Sequence, residues 1–172
     1  MAAVAAVGIS MRIEQIAVMP AIGLNMATLS LVGQNNGAKL YSRVKSAVKN
    51  CLSYGFIFTL VSSALVFIFA KPIISLFSDD PEVLRIAFLA VRIATLYISA
   101  YILFGISISA LQAVKKPNFA IWGALGRQLI GPLLLFPLFT YTFNMGLSGI
   151  FWAMFALAWA LAAIGLMYLL HF

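Results

Sequence analysis

Charge is what this sequence has least of. Only 9% of its 172 residues are Asp, Glu, Lys or Arg, and just 4 of them are acids. Cys51 is the sole cysteine, which excludes an intrachain disulfide and a thiolate metal site. His171 is the sole histidine and stands at the chain end, so no Ser/His/Asp set has a base to work with. A phosphate-binding glycine loop and a spaced metal-ligand cluster are missing too. These absences remove the common catalytic templates and leave no residues for a metal or cofactor, so an enzyme is not expected. The start, MAAVAAVGIS, has no charged segment before its apolar run, which argues against a cleaved signal peptide.

What fills the chain instead is apolar sequence. The composition is 64% hydrophobic, with a mean hydropathy of +1.08, against roughly half apolar in water-soluble domains. From Gln128 to Phe172 runs a stretch of 45 residues with no formal charge. A bilayer core about 30 Å thick is crossed by ~20 apolar residues in a helix. The pattern predicts an all-α polytopic membrane helix bundle of five transmembrane spans, at about 3–32, 47–70, 83–114, 119–140 and 147–171. No internal repeat or interdomain linker divides it, so residues 1–172 read as one bundle.

The first span is too long for the hydrocarbon, since 30 residues would reach ~45 Å; Pro20 with Gly23 supplies a bend. It is expected to end at Gly33-Gln34-Asn35-Asn36-Gly37. Lys71-Pro72 is expected to close the second span, and Ser78-Asp79-Asp80-Pro81-Glu82 reads as a turn into a capped helix start. The fourth span is expected to bend or break around Gly131-Pro132 and Pro137.

The net charge of +7 does not indicate nucleic acid, because the cations sit between spans. Lys39, Arg43, Lys45 and Lys49 occupy one link, and Lys115 and Lys116 another, whereas 71–85 carries a net −1. By the positive-inside rule the first and third links face the cytoplasm and touch anionic lipid headgroups. That places the chain in the cell membrane (the inner or plasma membrane), multi-pass, with its N-terminus outside and its C-terminus in the cytoplasm.

Glu14 is the one acid inside a span. An ionisable group in hydrocarbon is costly and by default functional. At about 100° per residue, Ala21, Asn25 and Thr28 lie within about 40° of it, forming a polar stripe, while Arg12 points about 160° away. Glu14 is thus a candidate protonatable or cation-binding carboxylate, the alternative being a structural ion pair with Arg92 or Arg127. Tyr97, Tyr101, Gly105 and Gln112 share one side of the third span and could line a cavity for aromatic or cationic ligands, or simply pack. Arg92 and Arg127 read as snorkelling or structural cations. Gly149, Ala153, Ala156, Ala160 and Ala163 form a small-residue stripe for close helix packing.

The segment Arg12-Ile-Glu-Gln-Ile-Ala-Val-Met-Pro-Ala-Ile-Gly-Leu, followed by Leu31-Val-Gly-Gln-Asn-Asn-Gly-Ala-Lys, resembles the multidrug and toxic compound extrusion (MATE) family. Ser109-Ala-Leu-Gln-Ala-Val-Lys-Lys-Pro resembles the end of that family's tenth helix. The resemblance covers essentially the whole chain and implies the last five of twelve helices, the C-terminal lobe without its first helix. It further implies secondary active export of drug-like, cationic or amphipathic molecules, driven by Na+ or H+, with a missing N-terminal lobe as partner. Some family members carry an acid near the positions of Tyr97 and Tyr101; this chain has none after Glu82. Glu14 matches an acid of some bacterial members and is therefore the ion-coupling candidate. Asn25, Thr28, Tyr97, Tyr101 and Gln112 are the substrate-cavity candidates. Alternatives are a lipid-linked precursor flippase of the same superfamily and a non-transporting remnant or accessory membrane subunit.

Overall fold

The computed structural model describes residues 2–171, and helices of membrane-spanning length dominate it. We label them α1 (Ala2–Gly37), α2 (Tyr41–Ile68), the short α3 (Ala70–Ser75), α4 (Pro81–Ala113), α5 (Asn118–Thr142) and α6 (Gly146–Leu170). Five of the six are long and apolar enough to cross a membrane, and no strand occurs among the described residues. Backbone groups in lipid must be satisfied within their own segment, which is why a helical bundle is the form such a sequence takes.

Helix α4 is the axis of the bundle. It packs against α1, α2, α3, α5 and α6, and 61% of its apolar stretch is buried against 11% for α5. A helix apolar all round belongs in an interior, and the composition of α4 permits close approach from several sides. Ala87, Ala90, Ala94, Ala100, Ser107 and Ala110 are all buried. Small residues do the same on the surrounding helices. Cys51, Gly55, Thr59 and Ser63 form the buried edge of α2 at four-residue spacing. A Cβ on Gly55 would come within 2.7 Å of Ile106 and 2.9 Å of Leu24. Packing and interhelical polar contacts drive such association, because lipid is as apolar as the side chains.

Several hydroxyls in these interfaces are satisfied within their own helices, although Ser63 Oγ is buried without a partner. Ser10 donates to the Ala6 carbonyl, Thr28 to Leu24, Thr59 to Gly55 and Ser107 to Leu103, all at 2.7–2.8 Å. Trp159 of α6 reaches across instead, its indole N–H donating to the Leu96 carbonyl of α4 at 3.1 Å. The outward faces carry large apolar residues, including Val61, Leu65, Leu133, Leu134, Ile164 and Met167.

The boundaries depart from expectation where side-chain chemistry misleads. Gly33 to Gly37 does not end the first span but continues its helix, with the Asn35 amide donating to the Leu31 carbonyl at 2.7 Å. The stop comes at Lys39, which takes φ 59°. Leu40 N–H then returns to the Asn35 carbonyl and Lys39 N–H to Asn36, the paired closure that ends many helices. Lys115, at φ 63°, closes α4 the same way, with Lys116 N–H on Leu111 and Lys115 N–H on Gln112. Lysine pays roughly 1–2 kcal/mol for this left-handed backbone, partly offset by its charge at a helix C-terminus.

The basic segment from Tyr41 is likewise helical, so α2 starts six residues before 47. Lys71-Pro72 does not close it; Phe69 ends α2, and both residues lie in α3. The cap at Asp80 is as expected: its carboxylate accepts from Glu82 N–H at 2.8 Å, with Pro81 in the first helical position.

Helix α5 neither breaks nor stops at its prolines. It changes winding, running as π-helix at Gly126–Ile130 and Leu138–Thr142 with α-helix between. A proline ring collides with the carbonyl four residues back; the wider π turn before Gly131-Pro132 makes that room. The packing stripe on α6 also departs from expectation. Gly149 and Ala153 are buried, but the buried line then passes through Leu157, Ala158, Leu161, Ala162 and Gly165, leaving Ala160 and Ala163 exposed. The partner changes along α6: Gly149 sits against the Phe139 backbone of α5, and Gly165 against Ser107 of α4.

Candidate functional site

Four helices bring polar groups together inside the bundle. Glu14, half-buried on α1, accepts a hydrogen bond at Oε2 from the Tyr97 hydroxyl of α4, at 3.2 Å. Tyr97 is only 3% exposed, and its hydroxyl also lies 3.8 Å from the Met154 sulfur of α6. One turn on, Tyr101 meets Tyr97 edge to face, with ring centroids 5.2 Å apart and planes at 80°. Over the Tyr101 ring sits the Arg127 guanidinium of α5, its Cζ 4.3 Å from the ring centroid. The order is therefore acid, phenol, phenol, guanidinium, and Arg127 remains within electrostatic reach of Glu14. Beside it a pocket of about 380 Å³ opens between α4, α5 and α6, lined by Tyr101, Arg127, Gln128, Phe136, Met154 and Leu157.

The helix geometry explains the placement. Tyr97 and Tyr101 are four residues apart and so stack on one face of α4. Arg127 and Gln128 lie in the first π-helical segment of α5, where the wider turn alters the direction in which side chains leave the helix. Such segments are frequent at functional sites.

The sequence-predicted residues divide into those inside this cluster and those elsewhere. Glu14, Tyr97 and Tyr101 are together. Asn25 lies against Gly105, where a Cβ would stand 2.6 Å from its amide nitrogen, and its Oδ1 is buried without a partner. Thr28 is fully buried and its hydroxyl is engaged by Leu24, so it packs between helices and lines none of the described pockets. Gln112 is exposed near the end of α4, eleven residues past Tyr101 and so about 16 Å along the axis. It is not part of the cluster. Arg92 does not pair with Glu14; its guanidinium lies 4.5 Å from the ring centroids of both Phe67 and Phe88. Arg127, read from sequence as a snorkelling or structural cation, belongs to the cluster, as do Gln128 and Met154. The one signal that could have pointed to Arg127 is its place just before Gly131-Pro132, where a helix must alter its winding.

A bundle of membrane-length helices that holds a carboxylate and two phenols in its interior, with an exposed guanidinium stacked beside them, is a multi-pass membrane protein with a polar site between its helices. The family model for MatE matches residues 1–136, and the chain belongs to that family. It is 30% identical over 89 residues to a probable multidrug resistance protein NorM of Thermotoga maritima, covering 52% of this chain and 19% of that one. It is 38% identical over 84 residues to an FAD transporter of Shewanella oneidensis, covering 48% of this chain and 18% of that protein. In fold it superposes on the MATE transporter ClbM in complex with Rb+, with a TM-score of 0.90 at 22% identity over 96% of this chain. The chain spans 38% of the length of ClbM and less than a third of the curated relatives.

The bond from Tyr97 to Glu14 makes a checkable prediction. Tyr97→Phe keeps the ring and its edge contact with Tyr101 but removes the donor, and hydrogen bonds to charged groups contribute about 1.5–3 kcal/mol. In detergent, Tyr97→Phe should lower the thermal unfolding midpoint clearly in the parent chain and hardly at all in a Glu14→Leu background. Equal losses in both backgrounds would show that the hydroxyl does not act through Glu14.

Proposed function

We propose that this chain supplies most of the C-terminal lobe of an ion-coupled exporter of organic small molecules, working with an N-terminal lobe. Glu14 couples the Na+ or H+ gradient, and the Tyr97–Tyr101–Arg127 face lines the cavity through which cargo passes. The observation that carries this reading is the setting of Glu14. It is the only acid away from the ends of the spans, it faces inward onto Tyr97, and it lies one phenol away from a pocket wall. Transporter sites are commonly built inside such bundles near the membrane midplane, between lobes that rock against each other.

Membership of the MatE family and the names of the relatives support export of organic molecules. That a neighbour in fold is a complex with Rb+ supports a role for a monovalent cation. Those names include both multidrug resistance proteins and an FAD transporter, so they do not fix the charge of the cargo. A flippase for lipid-linked precursors would require a broad basic cavity for phosphates, and the pocket wall here carries one cation.

Two results test the reading. In the assembled two-lobe transporter, Glu14→Gln should abolish most gradient-dependent export while leaving the melting temperature near that of the parent. The amide keeps the shape and can still accept from Tyr97 but cannot release a proton or balance a cation. Without that change of state, an ion gradient has no differential binding with which to bias the transporter. Normal export by Glu14→Gln would remove the coupling role, and lost export with collapsed stability would reassign Glu14 to structure. The orientation, with the N-terminus outside and the C-terminus in the cytoplasm, is tested with single cysteines in a Cys51→Ala background. A cysteine placed by Ser78→Cys should react with an impermeant reagent from outside, and one placed by Ala38→Cys only from the cytoplasm. The reverse pattern would invert the topology.

A further inference from the structure

We infer that the pocket between α4, α5 and α6 receives its ligand by an anionic group, and that Arg127 is the residue that takes it. The cargo class is then an anionic or zwitterionic amphiphile with an apolar, commonly aromatic, body. This rests on the export reading above and sharpens it, since a tyrosine-lined helix face alone would equally suit a cation.

The wall decides the polarity. Among the described residues that line the pocket, Arg127 is the one with a formal charge, with Gln128 beside it as an amide. Phe136, Met154 and Leu157 supply an apolar remainder suited to a ring system. The acids of this chain are elsewhere. Asp79, Asp80 and Glu82 stand at the turn into α4, and Glu14 lies behind the tyrosines, taking the Tyr97 proton donor. A cationic ligand would therefore find no carboxylate on the wall.

At Tyr101, the one tyrosine among the described wall residues, it would also meet a like charge. A cation can bind over a phenol face, but the Arg127 guanidinium already occupies the face of Tyr101 at 4.3 Å. A cationic molecule would have to displace a like charge to reach that ring. An anion meets the opposite situation. A guanidinium held over a ring is anchored through its face, while its N–H donors lie in its own plane. One phenol cannot satisfy all of them, so the fork remains able to grip a carboxylate, sulfonate or phosphate. The same stack reduces the conformational freedom of a long side chain before the ligand arrives, which favours binding.

The test uses two ligands of one shape and opposite charge, naphthalene sulfonate and naphthyl trimethylammonium, titrated calorimetrically into the full chain in phosphatidylcholine nanodiscs. The sulfonate should bind more tightly. Arg127→Gln should weaken it at least about tenfold, the scale of a lost charge-assisted contact, without weakening the ammonium ligand. Arg127→Lys should retain the preference for the sulfonate, which a mere loss of packing would not explain. Tighter binding of the ammonium ligand, abolished by Tyr101→Ala, would overturn the anion assignment while leaving the pocket and the export reading intact. Binding of neither ligand would overturn the anion assignment and leave the export reading to the Glu14→Gln test in the two-lobe transporter. Repeating the sulfonate titration in phosphatidylglycerol nanodiscs separates the two sources of an anionic group. Unchanged affinity assigns the site to free solutes, and competition assigns it to lipid headgroups.

Discussion

A carboxylate within hydrocarbon must be held, and in this molecule the holding is done by one phenol. Glu14 on α1 and Tyr97 on α4 are joined at 3.2 Å, and the polar cluster of the interior is built outward from that bond. It links α1 to the axial helix, which in turn carries Tyr101 to the Arg127 stack and backs onto Met154 of α6. Desolvating an ionisable group without partners costs several kcal/mol or forces it to neutralise. A hydroxyl donor at one end and a cation two residues of contact away are a moderate compensation, one that still permits a change of state. A direct, fully buried ion pair would hold the acid more firmly and switch less readily.

Helix α5 shows how backbone chemistry serves the same site. Pro132 would interrupt a regular helix, and the chain answers by widening its turn at Gly126–Ile130; a second wide turn follows Pro137 at Leu138–Thr142. The first of these segments carries Arg127 and Gln128 to the pocket. Gly131 is buried against Leu157, where a Cβ would stand 2.4 Å from a methyl carbon. The glycine lets α5 and α6 close on each other just below the arginine. Winding, packing and the position of the charge are therefore one feature.

How far the sequence alone reveals this depends on what kind of information each residue carries. The five spans were legible because length and apolarity act one helix at a time. Glu14 was legible because it is the only acid there, and the two tyrosines because their spacing places them on one face. The end of the first helix was misjudged because Lys39, a residue type that rarely takes left-handed backbone, closes it, whereas α4 ends at Ala113, just before the basic link the sequence indicated. The glycines and asparagines of Gly33 to Gly37 looked like a stop and were not. The α6 stripe failed after Ala153 because its partner changes from α5 to α4, which no periodicity within α6 encodes. Arg127 was missed for the same reason: its role lies in what another helix presents to it. Thr28 and Gln112 share a helix face with Glu14 and Tyr97 respectively but lie outside the cluster those residues form.

The central claim is that Glu14, bonded to Tyr97, is the group that changes state when the coupling ion changes. Infrared difference spectroscopy of the carboxyl region, recorded on the membrane-reconstituted chain as pH or Na+ is varied, reads that change directly. If Glu14 is that group, the difference spectrum contains a carboxyl band that disappears in Glu14→Gln and shifts in Tyr97→Phe. A difference spectrum that is the same in the parent chain and in Glu14→Gln would contradict the claim.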